Sequence, residues 1–260
     1  MNWSWVDFGG SDEARDLVIG LLAGSGETGA EELDGAESGS LTRIFWPNAG
    51  HALVEQISAA CERSGARVFR RGVVERADWL AEWKRHFGPT LASQRFLVCP
   101  PRNIAPPPPG GHVIIINPEM AFGTGTHEST QLALELLEEA VRPGDTVIDV
   151  GCGSGILAIA AAKLGANTVL AVEIDADAVQ NARDNVARNG VDALVKIVTG
   201  DFSSLDAPPA TIVVCNEIAP TLALMLPRLV AAMAPNGRLI VSGIDALHHD
   251  FARTVLAAAG

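Results

Sequence analysis

Positive charge is scarce in this chain: 19 lysines and arginines stand against 31 aspartates and glutamates in 260 residues, a formal net charge of −12. Non-specific grip on DNA or RNA needs clustered Lys and Arg to displace phosphate counterions, so the balance argues against a nucleic-acid binder. An acidic surface suits a basic protein partner, and it is equally an ordinary means of staying in solution. Cysteine is sparse and scattered. Cys61, Cys99, Cys152 and Cys215 form no C-x-x-C pair, so neither a zinc knuckle nor a disulfide framework is indicated, no metal site is expected, and a reducing cytoplasm is the fitting compartment. The opening stretch MNWSWVDFGGSDEARD lacks a basic segment followed by an apolar one, and no run approaches the roughly 18 uninterrupted apolar residues of a membrane span. A soluble protein without membrane contact is expected. The length suffices for a small domain followed by a medium one, each with a core of its own.

Three glycines, Gly151, Gly153 and Gly155, stand at alternate positions. The stretch VIDVGCGSGILAIAAAKLGANTVLAVEID, Val147 to Asp175, reads as strand, glycine loop, helix, strand. Val147 to Val150 is a short apolar run rich in β-branched residues that stops at Gly151-Cys152-Gly153-Ser154-Gly155, where backbone N–H groups can come close to a ligand. Ile156 to Leu164 is apolar on every side, with Lys163 in its last turn and Gly165 beyond, as in a buried crossover helix. Thr168 to Ile174 is the second strand. Glu173 near its end stands where a carboxylate in a doubly wound sheet accepts hydrogen bonds from both ribose hydroxyls of a nucleoside. A dinucleotide pyrophosphate requires G-x-G-x-x-G, and this chain has G-x-G-x-G. By itself the loop reads as a plain tight turn, a nicotinamide dehydrogenase site or a nucleoside site without phosphate.

Upstream, Asn2 to Phe8 alternates as a half-buried strand, and Ser11-Asp12-Glu13 opens a helix carrying Leu17, Ile19, Leu21 and Leu22. Gly24 to Gly39 is weakly patterned. Leu41 to Trp46 and Ala66 to Val74 read as strands on either side of a helix from His51 to Arg63, so the order β-α-(β)-β-α-β predicts a small ferredoxin-like α+β domain. Asp78 to Phe87 is a helix with aromatics at 79, 83 and 87, either packed on its own domain or serving as a connector between two. Arg95 to Cys99 and His112 to Asn117 are strands joined by a proline-rich surface loop. After Thr126 to Thr130, which offers several N-caps, a helix runs from Gln131 to Val141. Beyond the glycine loop, Asp175 caps a helix from Ala176 to Asn189 that buries Ala178, Val179, Ala182 and Val186. Leu194 to Thr199, Thr211 to Cys215 and Gly237 to Ser242 are strands three to five, with a helix from Thr221 to Ala234 before the last and another from Ala246 to Ala259 after it. Asp201, just past strand three, is either a contact for an adenine amino group or a solvent-facing turn carboxylate.

The G-x-G-x-G loop resembles motif I of class I S-adenosylmethionine-dependent methyltransferases. The string A-F-G-T-G-T-H-x-x-T from Ala121 to Thr130, shortly before V-I-D-V-G-C-G-S-G, is similar to the signature of PrmA-type enzymes, the lysine methyltransferases of the large-subunit stalk-base ribosomal protein. That resemblance runs nearly end to end. It implies a ferredoxin-like substrate-recognition domain over 1–76, a linker helix over 77–89 and an S-adenosylmethionine-binding domain over 90–260, a doubly wound Rossmann-like sheet. It also implies S-adenosylmethionine as cofactor, contacts from Thr130, Gly151, Gly153, Glu173 and Asn216, a role for Asn216 in positioning the amine, and a large-subunit ribosomal protein as partner. Three positions depart from the family. Glu173 stands where Asp is usual, His127-Glu128 replaces His-Pro, and Asn216-Glu217-Ile218 replaces Asn-Ile-Leu, setting a carboxylate beside the expected site. The family continues past the helix at 246–259 into two more strands, so an incomplete sheet and a C-terminally truncated protein are expected, with Leu239 to Val241 as an edge. The competing reading is a cofactor-binding interaction protein with impaired catalysis, or a methyltransferase acting on another protein.

Overall fold

The computed structural model describes residues 2–11, 18, 29–33, 41–47, 59, 61, 63, 65–75, 88–117, 124–244 and 248–258. The chain divides into two compact units, Met1–His86 and Phe87–Gly260.

In the first unit, strands β1 (Asn2–Gly9), β2 (Gly29–Leu33), β3 (Leu41–Pro47) and β4 (Arg67–Glu75) form an antiparallel sheet in the order β2-β3-β1-β4. Period-two alternation sends Val6 and Phe8 of β1 into the core. Asp7 points the other way and is nevertheless fully buried, because the register sets Arg43 and Arg70 opposite it on its two neighbours. Arg43 grips both carboxylate oxygens at 2.6 and 2.9 Å, Arg70 reaches one at 3.0 Å, and the Arg43 guanidinium lies 4.2 Å from the Trp5 ring centroid. Strand β2 lies in the glycine- and glutamate-rich stretch that carries no alternating pattern, so its strand character comes from pairing with β3. Val18, Ala59, Cys61 and Arg63 are helical, with Val18 and Cys61 buried. The rest of the helices expected near 11–22 and 51–63, and the aromatic-striped helix at 78–87, lie outside the described residues.

The second unit opens with a three-stranded sheet, β5 (Thr90–Leu91), β6 (Phe96–Cys99) and β7 (His112–Ile115). β6 and β7 pair in parallel. Parallel neighbours need about a dozen connecting residues, and the proline loop at 100–111 supplies that reach without a helix. There follow α1 (Glu128–Ala140), β8 (Thr146–Val150), α2 (Ile156–Lys163), β9 (Thr168–Glu173), α3 (Ala176–Arg188), β10 (Val195–Thr199), a single 3₁₀ turn (Phe202–Ser204), β11 (Ala210–Asn216), α4 (Ala219–Ala231), β12 (Met233–Ser242) and α5 (His249–Ala258). Helix α1 starts three residues before the expected Gln131, because the cap is His127, whose Nδ1 accepts the Ser129 N–H, and not Thr126 or Thr130.

The five strands form a parallel sheet in the order β10-β9-β8-β11-β12. Alternation along them fills two cores. Val147, Val169, Ala171, Ile212 and Val214 pack with α1, α2 and α3, whereas Ile148, Val150, Val172, Val213 and Cys215 pack with Phe202 and with Leu222 and Leu229 of α4. Both faces are therefore covered, as a parallel sheet requires. Chain order reverses between β8 and β11, which opens a crevice beyond the carboxyl ends of those strands. Among the described residues β12 pairs only with β11.

Candidate functional site

Strand register builds the crevice. Val172, Val150, Cys215 and Val241 lie in one row across β9, β8, β11 and β12, so Glu173, Gly151, Asn216 and Ser242 come one step beyond it. The glycine loop is pinned at its root, where the N–H groups of Gly151 and Cys152 both donate to the Val172 carbonyl at 2.9 and 3.1 Å. Gly151 has φ +72°, a left-handed conformation suited to glycine, and a Cβ there would come within 2.8 Å of Glu217 Oε1.

Two carboxylates flank this loop. Glu173 ties it to the end of β9, accepting the Gly153 N–H on Oε2 at 2.9 Å and the N–H groups of Ile174 and Asp175 on Oε1 at 2.8 and 3.0 Å. Three of the roughly four lone-pair sites of the carboxylate are thereby used within the chain. Asp149, the penultimate residue of β8, is fully buried; its Oδ2 accepts the Ala158 N–H at 3.0 Å, and its Oδ1 has no partner among the described residues. Burial raises its pKa to about 7, the Ala158 bond opposes the rise, and nearby Glu173 adds to it. Sequence reasoning passed over Asp149. The available signal was an acid in a four-residue apolar strand, costly to bury unless something needs it there.

The opposite wall comes from α1 and β11. Thr130, fully buried in the first turn of α1, receives the Asn216 Nδ2 hydrogen bond at 3.4 Å, while Asn216 Oδ1 is buried without a partner among the described residues. Ser242 fastens the same turn by donating to the Ser129 carbonyl at 2.6 Å. The fold thus brings Thr130, Gly151, Gly153, Glu173 and Asn216 to one rim from separate stretches of chain. Glu217 joins them. Its N–H donates to the Ser242 carbonyl at 3.0 Å, and burial first, then Glu173, raises the pKa of its carboxyl, with the Ile218 N–H pulling the other way. Asp201, open between an adenine contact and a turn carboxylate, caps the 3₁₀ turn through Ser203.

A further network was not legible beforehand. Asn181 and Asn185, on the buried side of α3, and Asn189 at its C-cap recur every fourth residue, beside the Ala178, Val179, Ala182 and Val186 that the apolar pattern picks out. Asn189 exchanges bonds with the backbone of Ile115, accepting its N–H at 2.9 Å and donating to its carbonyl at 2.7 Å. Asn185 accepts the Asn117 N–H at 2.9 Å and donates to the Ser154 carbonyl at 3.0 Å, and Asn181 donates to the Asn117 carbonyl at 3.2 Å. These carboxamides fasten the end of β7, and the chain leading toward Thr130, to the glycine loop. Among the described residues no three His, Cys, Asp or Glu side chains come together as a metal site, and no helix is long and apolar enough to cross a membrane.

The comparisons with known proteins agree with this geometry. A crystal structure of ribosomal protein L11 methylase from Lactobacillus delbrueckii subsp. bulgaricus is similar with a TM-score of 0.62 at 33% identity, covering 66% of this chain and 89% of that one. Curated ribosomal protein L11 methyltransferases are similar in sequence. One from Exiguobacterium sp. is 41% identical over 187 residues, 72% of this chain and 60% of that protein, and one from Pelotomaculum thermopropionicum is 46% identical over 171 residues, 66% and 56% respectively. The chain thus spans under two thirds of the length of these relatives. The glycine loop, the acids beside it and the Thr130–Asn216 wall all fall within residues 28–254, which match the model of one family, and the chain accordingly belongs to the ribosomal protein L11 methyltransferase (PrmA) family.

Proposed function

We propose that this chain is an S-adenosylmethionine-dependent protein methyltransferase that modifies lysine or amino groups of ribosomal protein L11, the substrate named for its relatives. The observation that carries the reading is the pair of buried oxygens, Asp149 Oδ1 and Asn216 Oδ1, that have no partner among the described residues and lie on the two central strands that flank the crevice. Buried polar atoms without partners are costly, and a ligand with hydrogen-bond donors and positive charge would relieve both. The residues fit S-adenosylmethionine. Backbone at Gly151 and Gly153 would hold its amino acid end, the remaining acceptor capacity of Glu173 its ribose, and Thr130 would keep the Asn216 carboxamide turned. When bound, the cofactor supplies a methyl group already activated on a positively charged sulfur. The chain's own residues have mainly to aim a neutral amine and exclude water, and Asn216 Oδ1 would accept a hydrogen bond from that amine.

The N-terminal sheet order β2-β3-β1-β4, with helical residues between β1 and β2 and between β3 and β4, supports a ferredoxin-like substrate-recognition domain over 1–76, with a linker over 77–89 ahead of the cofactor domain at 90–260. Glu217 favours a second reading, binding of cofactor without efficient transfer, because it places a carboxylate against Gly151. Titration calorimetry with S-adenosylmethionine, followed by transfer of labelled methyl to purified L11 and mass spectrometry, separates the two. Binding with transfer supports the enzyme, binding without transfer supports the second reading, and no binding by folded protein refutes both.

A further inference from the structure

Glu217 is the acid at this rim that methyl transfer leaves without a task, and its place is firmly fixed. Its backbone is held by the bond to Ser242, and it packs so closely on Gly243 that a Cβ there would lie 2.6 Å from the Glu217 carbonyl oxygen. Its carboxylate lies against Gly151 at the centre of the crevice, within electrostatic reach of Glu173. Asp149 is close to the same group of charges, since it is felt by Cys215 together with Glu217 and itself feels Glu173. Among the described residues no Lys, Arg or His forms an ion pair with Asp149, Glu173 or Glu217, and the charges that act on Asp149 and Glu217 are those of other acids.

We propose, on the basis of the methyltransferase reading, that Glu217 reads ligand charge, favouring the positively charged sulfonium form of the cofactor over the neutral thioether left after methyl loss. The two forms share adenine, ribose and amino acid end, so contacts to those parts bind them alike. They differ by one positive charge, and a carboxylate held at the crevice in a partly desolvated setting acts on that difference. A third acid without a counter-cation is destabilising in the free protein and relieved by a cation, so the preference is largest for the form that carries it. The consequence is weaker product inhibition than a rim with leucine or isoleucine at this position would give.

The test is titration calorimetry of the full chain with S-adenosylmethionine and S-adenosylhomocysteine, comparing wild type with Glu217→Gln, which keeps the shape and removes the charge. The expected result is a Kd for S-adenosylmethionine raised roughly fivefold or more while that for S-adenosylhomocysteine stays within about twofold. Equal weakening of both ligands, or no change in either, overturns the proposal while leaving the methyltransferase reading standing. If wild type binds neither ligand, both fall. Should Glu217→Gln fail to fold, wild type alone decides. Raising salt from about 0.05 to about 0.5 M must weaken the sulfonium form more than the thioether, and an identical salt response for the two overturns the charge reading.

Discussion

Replacing Asp149 by Asn tests whether this chain tolerates a buried acid at a cost in stability. Asp149 is fully buried, with Oδ2 on the Ala158 N–H and Oδ1 unpartnered among the described residues, and its folded pKa is about 7 against 3.8 for an ordinary aspartate. Between those two values the folded state holds a proton that the unfolded chain has released. Stability therefore falls as pH rises from about 4 to about 7, and the fall levels off above the folded pKa. From pH 5 to pH 8 the loss covers about two pKa units, or roughly 2–3 kcal/mol at 1.4 kcal/mol per unit. A carboxamide in this place cannot ionise and can still accept the Ala158 N–H, so Asp149→Asn removes this slope and is more stable than wild type at pH 8. Urea denaturation of both proteins at pH 5 and pH 8 gives the double difference directly, in which titrating groups remote from Asp149 cancel and only those coupled to it, Glu173 above all, remain. A double difference below about 0.5 kcal/mol would refute the argument that burial keeps this carboxyl protonated near neutrality.

Asn185→Leu removes the bond it accepts from the Asn117 N–H and the bond it donates to the Ser154 carbonyl, so it should cost roughly 1–3 kcal/mol in urea melts and raise the Kd for S-adenosylmethionine by calorimetry. Gly243→Ala forces a Cβ at φ +88° against the Glu217 backbone; it should cost about 2 kcal/mol or more and weaken cofactor binding although Gly243 is not among the expected contacts. Thr130→Val removes the acceptor for Asn216 Nδ2, and its effect on methyl transfer should exceed its effect on cofactor Kd, with Thr130→Ser restoring most of the rate. Asp7→Ala leaves Arg43 and Arg70 facing each other without their shared acid, and should destabilise the chain by about 2–4 kcal/mol while leaving calorimetric cofactor affinity within about twofold.

The parallel sheet from β8 to β12 was legible in the sequence because its information is local. Apolar runs stop at Gly151, Gly165 and Gly190, an aspartate at 175 caps its own helix, and alternation along each strand tells the two faces apart. Element bounds shifted by a few residues where a cap decided them, as at His127, whose ring takes a role usually given to Ser, Thr or Asp. The glycine loop and Glu173 were marked by their place after strands, Thr130 and Asn216 by the family resemblance, and register then sets Gly151, Glu173 and Asn216 side by side. Other features had no local mark. β2 has no alternation and becomes a strand only by pairing with β3, and β6 and β7 lie parallel because the loop between them is long enough, which strand pattern cannot reveal. The asparagines of α3 and its C-cap look like solvent-facing polar residues until the backbone of Ile115 and Asn117, at and just past the end of β7, is brought beside them. Glu217 was marked in the sequence by its departure from the family and Asp149 only by standing in an apolar run, but it is the packing that removes their water and brings Glu173 near that makes their charge costly. Hydrogen-bond partners and lost solvent are properties of neighbours distant in the chain, and folding is what assigns them.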